Sequence, residues 1–406
     1  MGGRCCSRLA VAGIALVSAL SVFPTASAAD LPHTTRGRVP REIADVKIGP
    51  GAGTGAVAVN ETTGRVYVAN AGAWGADPSN PLVSTVTVLD ARTNHIVTTV
   101  PVPSAYGPST TGRPNGPQSF AIDQRRNLVY VLGNDGTVSV LDGRRDRITR
   151  RFVIATEPDA FEGVFTGSIV LSERTGKLYA SIGNVRIDVI NPDNGKVIKK
   201  IADDEAGFMT IDQRTNTIYA DHYWDASVLV IDGSTDTVSA EINGVGSPAV
   251  PDDCYLTDTC TSEGSGLDGL AVDSAMHRLY VVGTNDGSFV TIDTRTNEVL
   301  RTQTIGGNLF NVAVDRDTHR AYAISDLGAT MAVIEGLSGR VLATDIPVGP
   351  APSPPTCEKD CTIGGLPQGI TVDGSTGRIY VGDYGDITAT DPLGEVVVLE
   401  GRRDHV

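Results

Sequence analysis

The sequence predicts an all-β fold: a closed propeller of seven four-stranded antiparallel blades. Three observations carry the prediction. One short stretch recurs seven times with a fixed internal spacing. Within each copy, apolar and polar residues alternate with a period of two, the signature of strands rather than helices. The strand missing from the last copy has its counterpart at the start of the chain.

The plainest copy is Gly369-Ile-Thr-Val-Asp-Gly-Ser-Thr-Gly-Arg-Ile-Tyr-Val381. An alternating run ends in a polar residue, a turn with glycine follows, and a second alternating run is centred on tyrosine. The polar residue and the tyrosine stand seven apart in every copy: Asn60/Tyr67, Asp123/Tyr130, Ser172/Tyr179, Asp212/Tyr219, Asp273/Tyr280, Asp315/Tyr322 and Asp373/Tyr380. Seven of the chain's 11 tyrosines occupy this position, so chance does not explain it. A third run follows and ends in an acid or amide, as in Thr85-Val-Thr-Val-Leu-Asp90, and a turn leads into a fourth. Four strands in roughly 40 residues make one propeller blade. The seventh copy ends after its third strand, and Ile43-Ala-Asp-Val-Lys-Ile-Gly49 matches the fourth strand of blade six, Ala343-Thr-Asp-Ile-Pro-Val-Gly349. Residues 42–48 are therefore expected to complete blade seven, because closing the ring removes the exposed edges of an open stack.

Composition agrees. Gly 46 and Pro 22 in 406 residues, with 20% charged residues, suit a turn-rich β protein. Residues 1–28 read as a secretory signal: Arg4 and Arg8 precede an apolar run, and Ala26-Ser27-Ala28 forms a small-residue cleavage site. Residues 29–41 read as a linker and residues 42–406 as a single propeller domain, secreted or otherwise extracytoplasmic, with no later membrane span. The formal charge is −15, and losing Arg4 and Arg8 with the signal takes it to −17. That balance argues against nucleic acid as the main partner. Cys254, Cys260, Cys357 and Cys361 remain after cleavage; local pairing, Cys254–Cys260 and Cys357–Cys361, is the expectation among three connectivities. A structural zinc is the rival reading, disfavoured by the spacing and by the lack of nearby histidine.

The motifs Arg65-Val-Tyr-Val-Ala-Asn70, Thr85-Val-Thr-Val-Leu-Asp90 and Gly377-Arg-Ile-Tyr-Val381 resemble the YVTN repeat of extracytoplasmic YncE-like and lactonase-like seven-bladed propellers. The resemblance covers about residues 42–406. It implies the fold, and it implies a family that includes binding proteins, surface-layer proteins and relatives of enzymes and redox partners; shared fold does not choose among them.

The loops divide between two faces. Links from strand one to two and from three to four are short, with many basic residues, including Arg125, Arg126, Arg144, Arg145, Arg174, Arg214, Arg278 and Arg378, and with His277 and His319 as turn residues. Such a charged rim reads first as a solvated face. Links from strand two to three and between blades carry nearly all the insertions, both tryptophans and most off-repeat aromatics and acids. Binding residues gather on loops held by a rigid scaffold, so this second face, around the channel mouth, is the expected site.

On it the sharpest cluster is Asp221-His-Tyr-Trp-Asp225. His222, beside Asp221 and Asp225, can serve as a base near neutral pH, or it can be a surface hydrogen-bonding residue. Asp268 opens blade five at the position that Gln118, Phe310 and Gln368 hold in blades two, six and seven. It is read as a cation-binding or acid/base group, with a solvated channel carboxylate as the plain alternative. Trp74, Asp221, Tyr223, Trp224, Phe310, Gln118, Gln368, Asp383 and Tyr384 are the candidate ligand contacts, and His222, Asp268 and Asp225 the candidate catalytic residues. No Asp-x-Asp-x-Asp-Gly loop is present, so no cofactor or metal is expected, although Asp383 and Asp386 leave a divalent cation open. The sequence has no Gly-x-Ser-x-Gly elbow, His-Glu-x-x-His, phosphate loop or haem-attachment motif. The leading expectation is a ligand-binding or protein-interaction module taking a small molecule, saccharide or peptide on the acidic, aromatic face, with an envelope or protein partner also open. The alternative is an enzyme on the same face, a lactonase-like hydrolase or a lyase or isomerase.

Overall fold

A computed structural model of the chain describes residues 39–50, 53–70, 84–102, 116–155, 166–182, 186–202, 206–222, 225–247, 265–325, 328–350, 367–384 and 393–401. Among them are 28 strands and no helix. The chain enters through β1 (Arg41–Pro50). Blade one is then β2 (Thr54–Asn60), β3 (Arg65–Asn70), β4 (Thr85–Asp90) and β5 (Ile96–Pro101), and blade two is β6 (Pro117–Asp123), β7 (Leu128–Gly133), β8 (Thr137–Asp142) and β9 (Arg147–Val153). Blade three is β10 (Thr166–Leu171), β11 (Leu178–Ile182), β12 (Arg186–Asn191) and β13 (Lys196–Ala202), and blade four is β14 (Ala206–Asp212), β15 (Thr217–His222), β16 (Ser227–Asp232) and β17 (Thr237–Ile242). Blade five is β18 (Leu267–Asp273), β19 (Arg278–Gly283), β20 (Ser288–Asp293) and β21 (Glu298–Thr304), and blade six is β22 (Leu309–Asp315), β23 (Arg320–Ser325), β24 (Thr330–Glu335) and β25 (Val341–Pro347). Blade seven is β26 (Pro367–Asp373), β27 (Arg378–Asp383) and β28 (Leu393–Glu400), with β1 as its outermost strand.

The ring closes as the sequence predicts. β1 pairs antiparallel with β28, from Arg41 opposite Glu400 to Pro50 opposite Leu393, and the Lys47 ammonium contacts Glu395 across the seam. The closing strand is slightly longer at each end than residues 42–48.

The buried apolar side chains fall into seven clusters, one between each pair of neighbouring blades. This explains the burial pattern. The second and third strands of each blade are sandwiched on both faces and read as nearly continuous apolar runs, whereas outer strands such as β9 and β21 alternate at the solvent edge.

Each cluster contains one repeat tyrosine, and all seven are at most 2% exposed. The phenol tip spans to the next blade. Tyr179 Oη donates to Gly233 O at 3.1 Å and Asp236 Oδ1 at 2.6 Å, and Tyr380 Oη donates to Ala91 O at 2.9 Å. A side-chain carbon added at Gly143, Gly336 or Gly401 would meet the hydroxyls of Tyr67, Tyr280 and Tyr322. In each of these five cases the tyrosine reaches the first residue after the third strand of its neighbour. The repeat tyrosine is the spacer between blades.

The acids of the repeat have a local task. The Oδ1 atoms of Asp90, Asp142, Asp212, Asp273 and Asp373 accept backbone N–H groups two residues on, closing the turns after the first and third strands. Three residues before the tyrosine, each blade needs a left-handed backbone; Gly64, Asn127, Gly176, Asn216, His277, His319 and Gly377 hold it, with φ between 52° and 71°. Their side chains also tie blades together. Asn60 Nδ2 donates to Asn127 Oδ1 at 2.9 Å, and His319 Nδ1 lies 2.7 Å from Oδ2 of the fully buried Asp273. His277 and His319 are turn residues in the structure.

Burial pushes the repeat phenols up: to about 12 for Tyr67, Tyr219, Tyr322 and Tyr380, with Tyr130, Tyr179 and Tyr280 also raised. A raised acid contributes stability that is complete below its unfolded value, near 10, and is lost as pH rises through the folded value. Stability is therefore expected to hold up to about pH 10 and to collapse between about pH 10 and 12. A spectrophotometric tyrosinate titration should show these phenols ionising together with unfolding. Early, gradual ionisation in the folded protein would contradict the spacer role.

Candidate functional site

The seven first-strand positions picked out by the repeat share a structural property. On every innermost strand the pairing slips by one residue at this point: between Thr54 and Val57, Pro117 and Ser119, Thr166 and Ile169, Ala206 and Met209, Leu267 and Gly269, Leu309 and Asn311, and Pro367 and Gly369. Each slip is a β-bulge. A bulge re-aims its side chain out of the alternation. Gln118, Asp268, Phe310 and Gln368 sit at four of these bulges and are half-buried. Gly55, Gly167 and Gly207 stand at the other three. Because each innermost strand ends its sheet, its free edge faces the axis, and the bulges ring one end of the channel.

Blades four to six bring chemistry together there. In blade four the bulge turns two backbone N–H groups toward Asp221 on β15: Oδ1 accepts from Gly207 N at 3.0 Å and from Phe208 N at 2.8 Å. Asp221 is fully buried, and its Oδ2 has no hydrogen-bond partner among the described residues. Burial, and then the neighbouring Asp268 carboxylate, push the Asp221 carboxyl well above the usual carboxylate range, against the pull of its two backbone donors. Asp268 accepts a hydrogen bond from Thr284 Oγ1, whose hydroxyl also lies 3.1 Å from Leu309 O of blade six. The Phe208 and Phe310 rings meet edge to face, with centroids 6.0 Å apart and planes at 83°. They belong to blades four and six, so their contact reaches past blade five, whose bulge residue is Asp268. An aromatic pair thus accompanies a coupled pair of carboxyls.

His222 ends β15 opposite Ala206 and Ser227. Its side chain is 10% exposed, and Nδ1 lies 3.6 Å from Oδ2 of the exposed Asp225. That separation is beyond a direct hydrogen bond but is an ion-pair distance when the imidazole is protonated. The structure thus gathers Asp221, His222, Asp225, Asp268 and Phe310 on neighbouring blades. Gln368 lies away from them, its amide oxygen directed toward Gly55 of blade one. Asp383 is fully buried with its carboxylate against Gly349, and Tyr384 is 3% exposed, its phenol pushed up by burial. Among the described residues, no group of three or more His, Cys, Asp or Glu is placed to hold a metal ion. Trp74, Tyr223, Trp224, Asp386 and the four cysteines lie outside the described residues, as do residues 1–38.

Two features escaped the sequence. Phe208 follows the marker glycine of blade four and is the second residue of its bulge, and no alternation in the sequence signals it. The other lies at the opposite end of the channel, where a cavity of about 660 Å³ is walled by Val59, Val272, Val312 and Val372 and rimmed by Glu61 and Arg316. On that face much of the basic rim is neutralised: Arg126 pairs with Asp123 and Asp193, Arg145 with Asp142, and Arg278 with Asp293.

No protein-family model matches the chain, and no curated protein is significantly similar to it.

Proposed function

We propose that the protein is a ligand-binding module of the extracytoplasmic YVTN type, and that its bulge-ringed channel mouth takes a small cationic molecule with an aromatic or apolar body. One observation carries the reading: the coupled Asp221 and Asp268 carboxyls accompanied by the Phe208–Phe310 pair. Two carboxyls held close in a low-dielectric site disfavour double ionisation, and a cation relieves that repulsion. Aromatic faces add attraction for the same charge. The remaining candidate contacts, Trp74, Tyr223 and Trp224, would extend the aromatic surface. Secretion rests on the residue 1–28 signal, and the YVTN assignment on the repeat motifs.

The His222–Asp225 contact favours a second reading, a hydrolase or a lyase or isomerase with His222 as base. A panel of aromatic amines, saccharides and lactones separates the two. Saturable stabilisation by amines without turnover is the expected result, and it should be weakened in Asp268→Asn. Lactone turnover lost in His222→Ala would favour the enzyme. Amine binding unaffected by Asp268→Asn would remove the site assignment.

A further inference from the structure

The cavity at the turn end of the channel follows a break in the repeat. The residue one past the repeat's polar position stands at that end in every blade: Glu61, Gln124, Glu173, Gln213, Ser274, Arg316 and Gly374. In blades one to four its side chain reaches back to the turn of the preceding blade. Glu61 Oε1 accepts from Gly374 N at 3.0 Å, and Gln124 Oε1 accepts from Thr62 Oγ1 at 2.9 Å. Glu173 lies 3.8 Å from the Arg125 guanidinium, and Gln213 accepts from Glu173 N at 3.0 Å while donating to Leu171 O at 2.6 Å. Blades five to seven lack this clasp. Ser274 is short, Gly374 has no side chain, and Arg316 makes no hydrogen bond or ion pair among the described residues.

The cavity of about 660 Å³ lies against this unclasped arc and has the size of a small-molecule site. Its wall is aliphatic: Leu270 and Val272 from blade five, Val312 and Val314 from blade six, Val372 from blade seven and Val59 from blade one. Arg316 is the only cation that lines it, and Glu61 and Asp317 are the only acids. The repeat acids of these three blades are engaged within the blades. Asp315 Oδ1 accepts from Asp317 N at 2.9 Å, Asp373 Oδ1 accepts from Ser375 N at 2.9 Å, and Asp273 faces His319. The Glu61 carboxylate is held on the blade-seven turn, where a side-chain carbon added at Gly374 would stand 3.1 Å from its Oε1. Arg316 rises from the adjacent blade-six turn, and the two charges form no ion pair with each other.

We propose that this cavity binds a small zwitterion with an aliphatic body, the chemistry of an aliphatic α-amino acid. Arg316 receives the carboxylate, which a guanidinium fork grips with two parallel hydrogen bonds. Glu61 receives the ammonium group, because an ionised carboxylate keeps acceptor capacity beyond the one bond from Gly374 N. The aliphatic body leaves water against the valine wall. A simple anion would face two acids, and a simple cation would face Arg316; a zwitterion satisfies both signs. The cavity lies at the other end of the channel from Asp221 and Asp268, so it stands or falls independently of the ligand proposed there.

The test is calorimetric titration of the full chain with L-leucine and with 4-methylpentanoate, which is leucine without its ammonium group. Wild-type protein is expected to bind leucine saturably and 4-methylpentanoate at least tenfold more weakly, the scale of a lost charge-assisted hydrogen bond. Arg316→Gln should weaken leucine binding at least tenfold. Glu61→Gln keeps an acceptor for Gly374 N, and it should weaken leucine at least tenfold without weakening 4-methylpentanoate. Arg92→Gln, an exposed arginine away from the channel, should change neither, and thermal melting checks that every variant folds. No leucine binding, equal affinity in Arg316→Gln or Glu61→Gln, equal loss in Arg92→Gln, or 4-methylpentanoate binding as tightly as leucine would overturn the proposal.

Discussion

Deleting residues 41–48, or replacing them with a Gly/Ser segment of equal length, is expected to lower the melting temperature by about 5 °C or more. β1 is the only strand of blade seven that comes from the chain's start, and its loss leaves β28 as a bare edge. Ala44, Val46 and Ile48 pack on the cluster between blades seven and one, beside Tyr380, Val396 and Val398. Each aliphatic group removed costs about 1–2 kcal/mol, and the unpaired ladder adds to that, for a total of about 5 kcal/mol. The exposed edge should also promote association between molecules, visible as a concentration-dependent increase in scattering. Unchanged melting in both variants would mean that the ring does not depend on its N-terminal strand.

Asp221→Asn is expected to stabilise the protein, and only when the pH is high enough. The folded-state value of Asp221 is raised, so its favourable contribution is complete below the unfolded carboxylate value and is lost as pH rises through the folded one. Asparagine keeps an oxygen to accept from Gly207 N and Phe208 N and never ionises. The two proteins should therefore melt alike in acid and diverge as pH rises, with the variant ahead by about 1–3 kcal/mol, the scale of a buried group left uncompensated. Asp268→Asn in the same background should add little, because the repulsion it relieves has already been removed. A variant that is less stable than wild type at every pH would contradict the buried, coupled carboxyl.

The ease with which the fold can be read from the sequence has a physical origin. Each tyrosine fills an identical space between blades, and each aspartate closes an identical turn, so packing demands repeat as the sequence repeats. The matching of residues 43–49 to residues 343–349 worked for the same reason: both strands occupy the outer place in a blade. The site was less legible because it depends on departures from the repeat. One extra residue on the innermost strand breaks the period-two rule, so no alternation pattern reveals that Phe208 reaches Phe310 or that Asp221 turns onto the bulge. Asp383 matches His222 in repeat position, yet its carboxylate is sealed against Gly349, two residues beyond the last strand of blade six. The basic residues were misleading in another way. Sequence places Arg126 and Arg145 on a positive rim, but their neutralising carboxylates come from the same turns and, for Asp193, from the next blade.

The most direct test of the channel-mouth site is a calorimetric titration with phenethylammonium, a monocation with one aromatic ring. Wild-type protein is expected to bind it saturably at one site, with affinity falling at least tenfold in both Asp268→Asn and Phe310→Ala while each variant still melts cooperatively. Equal affinity in wild type and both variants would contradict the account.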